Sequence, residues 1–289
     1  MISSIIRSMR PKQWTKNFFV FASLLFTLDS PHPTSDYLKV LAAFGIFCVL
    51  SGVVYLVNDI RDVDADRKHP TKSKRPIASG ELRVRAARAS ADILLIAGFG
   101  AAFLLDLRFA GVAFAYVVLQ IAYSFLLKDV VILDVMAIAT GFVLRAVAGA
   151  VVINVIISPW LLMCTVLLAL FLGLAKRRGE LVLVEAGMPN SRASLDHYTV
   201  PFLDQLIGIT AASTVIAYAL YTFFSTTSQA HPYMMATVPF VLYGIFRYLL
   251  LIHQNADSEA PEMILLTDKP LLIDIALWAV ACVLIVASR

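Results

Sequence analysis

Nine consecutive residues, Asn58-Asp59-Ile60-Arg61-Asp62-Val63-Asp64-Ala65-Asp66, carry the densest chemistry in the chain. At about 100° per residue on a helix, Asn58, Asp62 and Asp66 share one stripe with Asp59 beside it, while Asp64 points away. Carboxylates packed this closely repel one another unless cations hold them. Hard oxygen donors suit Mg2+, which takes one or two protein carboxylates and completes its shell from substrate phosphates. Asp62, Asp64 and Asp66 alternate as in a calcium loop, but Arg67 stands where glycine is required and Ser73 where an acidic residue is required. The plainer alternative is a solvated, charged helix end.

A cationic stretch follows directly, Arg67-Lys68-His69-Pro70-Thr71-Lys72-Ser73-Lys74-Arg75-Pro76. Metal on one set of oxygens and Lys or Arg on the rest is what a polyphosphate needs, so Lys72, Lys74 and Arg75 are candidate ligands. The same residues also read as an anchor for anionic lipid headgroups. Three further clusters carry usable groups: Tyr123, Lys128 and Asp134 around one turn; Lys176, Arg177, Arg178 and Glu180; and Arg10, Lys12, Trp14, Lys16 and Asn17 in an amphipathic N-terminal segment. Arg145 lies inside an apolar run, where an arginine is either functional or a hydrogen-bonding strut between helices. His69, His197 and His253 fall in loops, and no nucleophile-and-base pair is visible.

These groups are carried by a chain that is 60% hydrophobic and only 15% charged, against roughly 25% charged for a soluble domain. Nine apolar runs are long enough to cross a bilayer, at 17–29, 38–57, 86–105, 109–127, 131–152, 158–174, 203–225, 233–252 and 270–288. The first begins in the amphipathic segment and lacks the pattern of a cleaved signal peptide. With nine spans, about twenty of the 24 Lys and Arg fall on one side, which the positive-inside rule makes cytoplasmic. Lys39, Arg108 and Arg289 are the cations opposite. That asymmetry, more than the net charge of +4, describes the chain and gives no cause to invoke nucleic acid. Cys48, Cys164 and Cys282 are isolated in apolar runs and read as packing residues. Long charged loops after the second and sixth spans predict two related halves whose loops meet over a central cavity, in one transmembrane domain over 1–289.

The motif Asn-Asp-x-x-Asp-x-x-x-Asp, matched by Asn58, Asp59, Asp62 and Asp66, resembles the first signature of the UbiA-type intramembrane prenyltransferase superfamily. That resemblance implies an all-α bundle of nine transmembrane helices in a bacterial cytoplasmic membrane, Mg2+ on those four residues, and a catalytic site capped by cytoplasmic loops. Within the superfamily the chain is most similar to the phosphoribosyltransferase branch, which moves 5-phosphoribose from phosphoribosyl pyrophosphate to a polyprenyl (decaprenyl-type) phosphate. The matching stretches are Arg10 to Asn17, Asn58 to Gly80, Tyr123-Ser124 with Lys128, Gly141 to Arg145 and Lys176 to Leu181. Aromatic prenyltransferases resemble one another in a second aspartate-rich motif after the sixth span; here Lys176, Arg177, Arg178 and Glu180 stand there, as suits ligands with additional phosphates. The candidate catalytic residues are then Asp62, Asp66 and Asp134. The candidate substrate ligands are Lys16, Lys72, Lys74, Arg75, Tyr123, Lys128, Lys176, Arg177 and Arg178, and a homo-oligomer is left open. Prenyl transfer to an aromatic or other lipid acceptor is the nearer alternative. A secondary transporter fits less well, because the charges crowd one face and not the mid-membrane.

Overall fold

An apolar chain in a bilayer satisfies its backbone internally, and long Leu-, Val- and Ala-rich runs do so as helices. The computed structural model is 87% helical, with no strand among the described residues. It describes all residues except Phe26, 28–31, Pro70, Ile157, 188–192, 255–263, 265–266 and 288–289. The end of the predicted first span, Pro70, Arg289 and most of the loop expected at 253–269 therefore lie outside the described residues.

The N-terminus forms α1 (Ile2–Ser8), a 3-10 helix (Pro11–Phe21) and α2 (Ala22–Leu25). Then come α3 (Thr34–Arg61), α4 (Val63–Lys68), α5 (Val84–Leu105), α6 (Leu107–Phe125), α7 (Leu133–Val152) and α8 (Pro159–Glu185). The chain continues through α9 (Val200–Phe224), α10 (Thr226–Ala230), α11 (Val238–Gln254) and α12 (Lys269–Ala287). Eight helices among the described residues are long and apolar enough to span a membrane, not the expected nine. The segment read as the first span is the 11-residue 3-10 helix with its short α-helical continuation. At about 2 Å per residue the 3-10 part covers roughly 22 Å and the four residues of α2 add roughly 6 Å, close to a hydrocarbon core of roughly 30 Å.

The chain divides into two compact units, one of Met1–Leu25, His32–Phe125 and Leu144–Ile156, the other of Phe26–Pro31, Leu126–Val143 and Ile157–Arg289. In the first, α3 packs on α5, α6 and the 3-10 helix. The buried residues of α5 are Ala87, Ala91, Gly98 and Ala102, all small, so α3 lies close against it, as membrane helices pack. Phe47 of α3 then meets Phe109 and Tyr116 of α6 at ring centroid distances of 5.9 and 5.1 Å. In the second unit α8 packs along α9, and α11 against α9 and α12, around Phe171, Leu174, Leu203, Ile207, Ile245 and Leu271. Outward faces are apolar as well: Ile93, Ile96 and Leu104 on α5, Ile216 on α9, Leu277 and Leu284 on α12 are exposed. Such a surface belongs in lipid, and the protein is an integral membrane protein.

The turn between α5 and α6 shows how tightly helix ends are specified. Asp106 Oδ1 accepts from the Phe109 N–H at 2.9 Å, capping α6 at its third position. That backbone donor, aided by Arg108, holds the Asp106 carboxyl below the usual carboxylate range. A depressed folded-state value means the stabilisation is present above the unfolded carboxyl's pKa and lost as pH falls through the folded one. Asp106→Ala is therefore expected to cost about 1 kcal/mol at neutral pH. Thermal unfolding in detergent should show a gap between variant and wild type that closes as the medium is acidified; a gap independent of pH counts against the cap.

Candidate active site

The motif stripe survives in three dimensions across a break. α3 ends at Arg61, and Asp62 sits at the junction with α4 at φ −91°, ψ 10°. The helical bonds nonetheless run through, Asp62 N–H to Asn58 O at 2.9 Å and Asp66 N–H to Asp62 O at 2.8 Å, which keeps the three residues on one side. Asp59 and Asp66 are buried, and Asp64 turns outward and pairs with Arg67 at 3.1 Å.

Buried carboxylates require counter-charges, because desolvating an unpaired one costs several kcal/mol. Two arginines supply them. Arg75 Nη1 donates to Asp66 Oδ2 at 2.6 Å and to Asp59 Oδ1 at 3.2 Å. Arg10 donates to the same Asp59 oxygen and lies 4.8 Å over the Tyr55 ring. Arg10 holds φ at 53°, a left-handed backbone uncommon outside glycine, at the residue that makes this ion pair and ring contact. Asp62 is gripped by Arg61, Nε to Oδ1 at 2.7 Å and Nη2 to Oδ2 at 3.1 Å. Arg61 also donates to the Ser124 carbonyl and lies 4.9 Å over the Phe125 ring. Neither Arg10 nor Arg61 is among the residues singled out as ligands from sequence. Arg10 is separated from the motif by 49 positions, and nothing local announces its backbone angle.

Whether this donor set fits a divalent cation can be judged from the side chains. Asn58 Oδ1 is buried and has no hydrogen-bond partner, a neutral oxygen in the row that contains Asp62 and Asp66. Among the described residues no three His, Cys, Asp or Glu converge to cage a metal unaided. Mg2+ does not need that, since it uses one or two carboxylates with substrate oxygens. The residues fit a substrate-assisted metal site. Lys72 is half-buried and Lys74 exposed in the short 3-10 turn Lys72–Lys74 just before Arg75. Lys16 is half-buried in the N-terminal 3-10 helix, and Tyr123 half-buried in the last turn of α6.

In the second unit the predicted residues part company. Adjacent helix positions point about 100° apart, and Lys176, Arg177 and Arg178 accordingly take different roles. Arg177 is fully buried and donates to Asp134 Oδ2 at 2.6 Å and to Glu180. Arg178 bonds Asp204 and the Ile252 carbonyl, the latter at 3.1 Å. Lys176 is half-buried. Asp134, expected to be catalytic, is fully buried and also accepts from the Tyr198 hydroxyl at 3.0 Å. Its oxygens are committed to Arg177 and Tyr198, so we read Asp134 and Arg177 as a structural pair and not as groups that meet substrate. Tyr198 in turn accepts from the Ile132 N–H at 2.7 Å, and Ile132 has φ 70°, an outlier for a β-branched residue. Burial pushes the Tyr198 hydroxyl up to about 12, so it remains a donor to Asp134 near neutrality. The half-buried Lys128 sits in the turn this network holds, its carbonyl accepting from Ser194 Oγ at 3.0 Å.

A family model described as UbiA prenyltransferase family matches residues 17–267. A decaprenyl-phosphate phosphoribosyltransferase of Corynebacterium glutamicum is 35% identical, over 99% of this chain and 87% of that one. Its namesake in Mycolicibacterium smegmatis is 34% identical, over 96% and 91%. Among solved structures, a UbiA homolog from Archaeoglobus fulgidus bound to GPP and Mg2+ superposes with a TM-score of 0.72, covering 98% of this chain and 99% of that one. At 19% identity that likeness speaks for the fold alone.

The buried network yields a test of its own. Asp134→Ala strands the Arg177 guanidinium and should cost about 3–5 kcal/mol, while Tyr198→Phe, which orphans the Ile132 N–H, should cost about 1–3 kcal/mol. Unfolding temperatures in detergent read both. An Asp134→Ala protein that keeps the wild-type unfolding temperature but has no activity would restore the catalytic assignment.

Proposed function

Because the chain belongs to the UbiA prenyltransferase family, we propose that it transfers 5-phosphoribose from phosphoribosyl pyrophosphate to a polyprenyl phosphate of the decaprenyl type, releasing pyrophosphate. The acceptor and the transferred phosphoribosyl group are those in the names of relatives about a third identical over nearly the whole chain. The observation that carries the chemistry is the acidic stripe met by two arginines: Asp59 and Asp66 with Arg10 and Arg75, beside the unpartnered Asn58 oxygen.

Asn58, Asp59, Asp62 and Asp66 would hold Mg2+, which supplies charge neutralisation for a departing pyrophosphate. Arg10 and Arg75, with Lys72 and Lys74 from the same loop, are the cations that bind pyrophosphate oxygens. The ribose C1–O bond breaks with its electron pair leaving on pyrophosphate, through an oxocarbenium-like transition state. An ionised oxygen of the lipid phosphate then closes on C1. That oxygen carries no proton at neutral pH, so no general base is required, consistent with the paired, buried state of Asp134. Asp62 and Asp66 would act as metal ligands; Lys16, Tyr123, Lys128 and Lys176 would meet phosphates of donor or acceptor. The site faces the cytoplasm, in a bacterial cytoplasmic membrane.

Purified protein supplied with Mg2+, labelled phosphoribosyl pyrophosphate and polyprenyl phosphate should make a phosphoribosyl lipid detectable by mass spectrometry. Asp62→Ala should lower turnover at least about a hundredfold, and undiminished turnover in that variant would remove the metal assignment. Product formed only from a prenyl diphosphate and an aromatic acceptor would replace the phosphoribosyl reading with the prenyl one.

A further inference from the structure

Arg145 is buried within α7, twelve positions after Leu133 and roughly 18 Å along the helix, and the chemistry above does not use it. Its Nε donates to Asn17 Oδ1 at 2.8 Å, one terminal nitrogen donates to the Tyr116 hydroxyl at 2.7 Å, and the guanidinium lies 4.6 Å from the Tyr116 ring centroid. Asn17 is completely buried in the N-terminal 3-10 helix, and its amide nitrogen reaches Ser51 Oγ at 3.2 Å and Cys48 Sγ at 3.4 Å on α3. One turn beyond Arg145, Gly149 lets the same segment come closer still: a Cβ there would stand 1.9 Å from the Val20 carbonyl oxygen. α7 therefore grips the 3-10 helix at two points, by hydrogen bonding at Asn17 and by bare backbone contact at Val20.

The gripped segment begins next to Arg10, whose guanidinium sits on Asp59. A 3-10 helix of 11 residues is long for a geometry that seldom exceeds four, so its shape and register depend on what holds it. We infer that Arg145 is a positioning residue: acting through Asn17, it sets the register of Pro11–Phe21 on α3 and so delivers Arg10 to the Asp59 end of the acidic stripe. The inference rests on the reading that this stripe receives the donor's pyrophosphate. A misplacement of about 1 Å at such a contact can cost on the order of a hundredfold.

The test uses the full chain in detergent or nanodiscs, with Arg145→Met, Asn17→Ala, Gly149→Ala and Arg10→Ala. Arg145→Met is expected to raise the KM for phosphoribosyl pyrophosphate about ten- to a hundredfold with a smaller change in kcat. In an Arg10→Ala background it should add less than about twofold, because Arg10 is the group through which the effect passes. Asn17→Ala, which cuts the link but leaves Arg145 on Tyr116, should reproduce the pattern and decides the matter if Arg145→Met does not fold. Gly149→Ala should give the same KM signature from the second contact. Amide hydrogen exchange over residues 11–21 should rise in all three variants, a readout that needs no substrate. Full additivity with Arg10→Ala, an unchanged donor KM, or unaltered exchange over 11–21 overturns the inference. Absence of transfer by the wild type, with exchange altered as expected, defeats the phosphoribosyl reading instead.

Discussion

Two carboxylates placed out of water, Asp59 and Asp66, impose the arrangement of the first unit. Each needs a cation within hydrogen-bonding distance, and the cations arrive from both directions along the chain, Arg10 from upstream and Arg75 from downstream. Meeting that demand bends the loop after α4 back over the helix end and brings the N-terminal segment across α3. A further link, Ser4 and Arg7 of α1 with Glu81, ties the outer edge of the same loop. The balance gives both buried carboxylates a cationic partner, and it places two guanidiniums where phosphate oxygens would compete for them.

The second unit applies a different solution to the same cost. Asp134 and Arg177 are buried together and satisfied by Glu180 and Tyr198, so their charges serve the packing of α7 and α8 and the turn before α7. Replacing such a pair by apolar residues is often neutral for stability. A buried pair that fixes a turn around a strained residue, here Ile132 at φ 70°, contributes position more than energy.

The parts of this structure governed by local periodicity could be read from the residues. Eight of the nine apolar runs form helices long and apolar enough to span a membrane among the described residues, and the 100° spacing placed Asn58, Asp62 and Asp66 on one side and turned Asp64 outward. Arg75 was expected only as a phosphate ligand; its bonds to Asp59 and Asp66 come from the path of the loop, which periodicity does not give. What sequence could not convey are pairings across long separations. Arg10 with Asp59, Tyr198 with Asp134, and Arg145 with Asn17 are separated by 49, 64 and 128 positions. Lys176, Arg177 and Arg178 look alike in a row of cations, and only the helix rotation decides which one faces a buried carboxylate. The 3-10 form of the N-terminal run was not legible for a related reason: hydropathy reports an apolar segment, whereas its partner Arg145 lies far along the chain.

Those separations have a consequence for how the molecule is made. The segment Pro11–Phe21 reaches its anchor Arg145 only once α3, α5, α6 and much of α7 have been made, and α1 reaches Glu81 only once α3 has been made. Loop closure over such lengths is slow relative to local helix formation. Arg10 meets its partner Asp59 on α3, the next long helix in the chain, whereas the Asn17 contact needs Arg145 of α7, so the last element of this support arrives with α7.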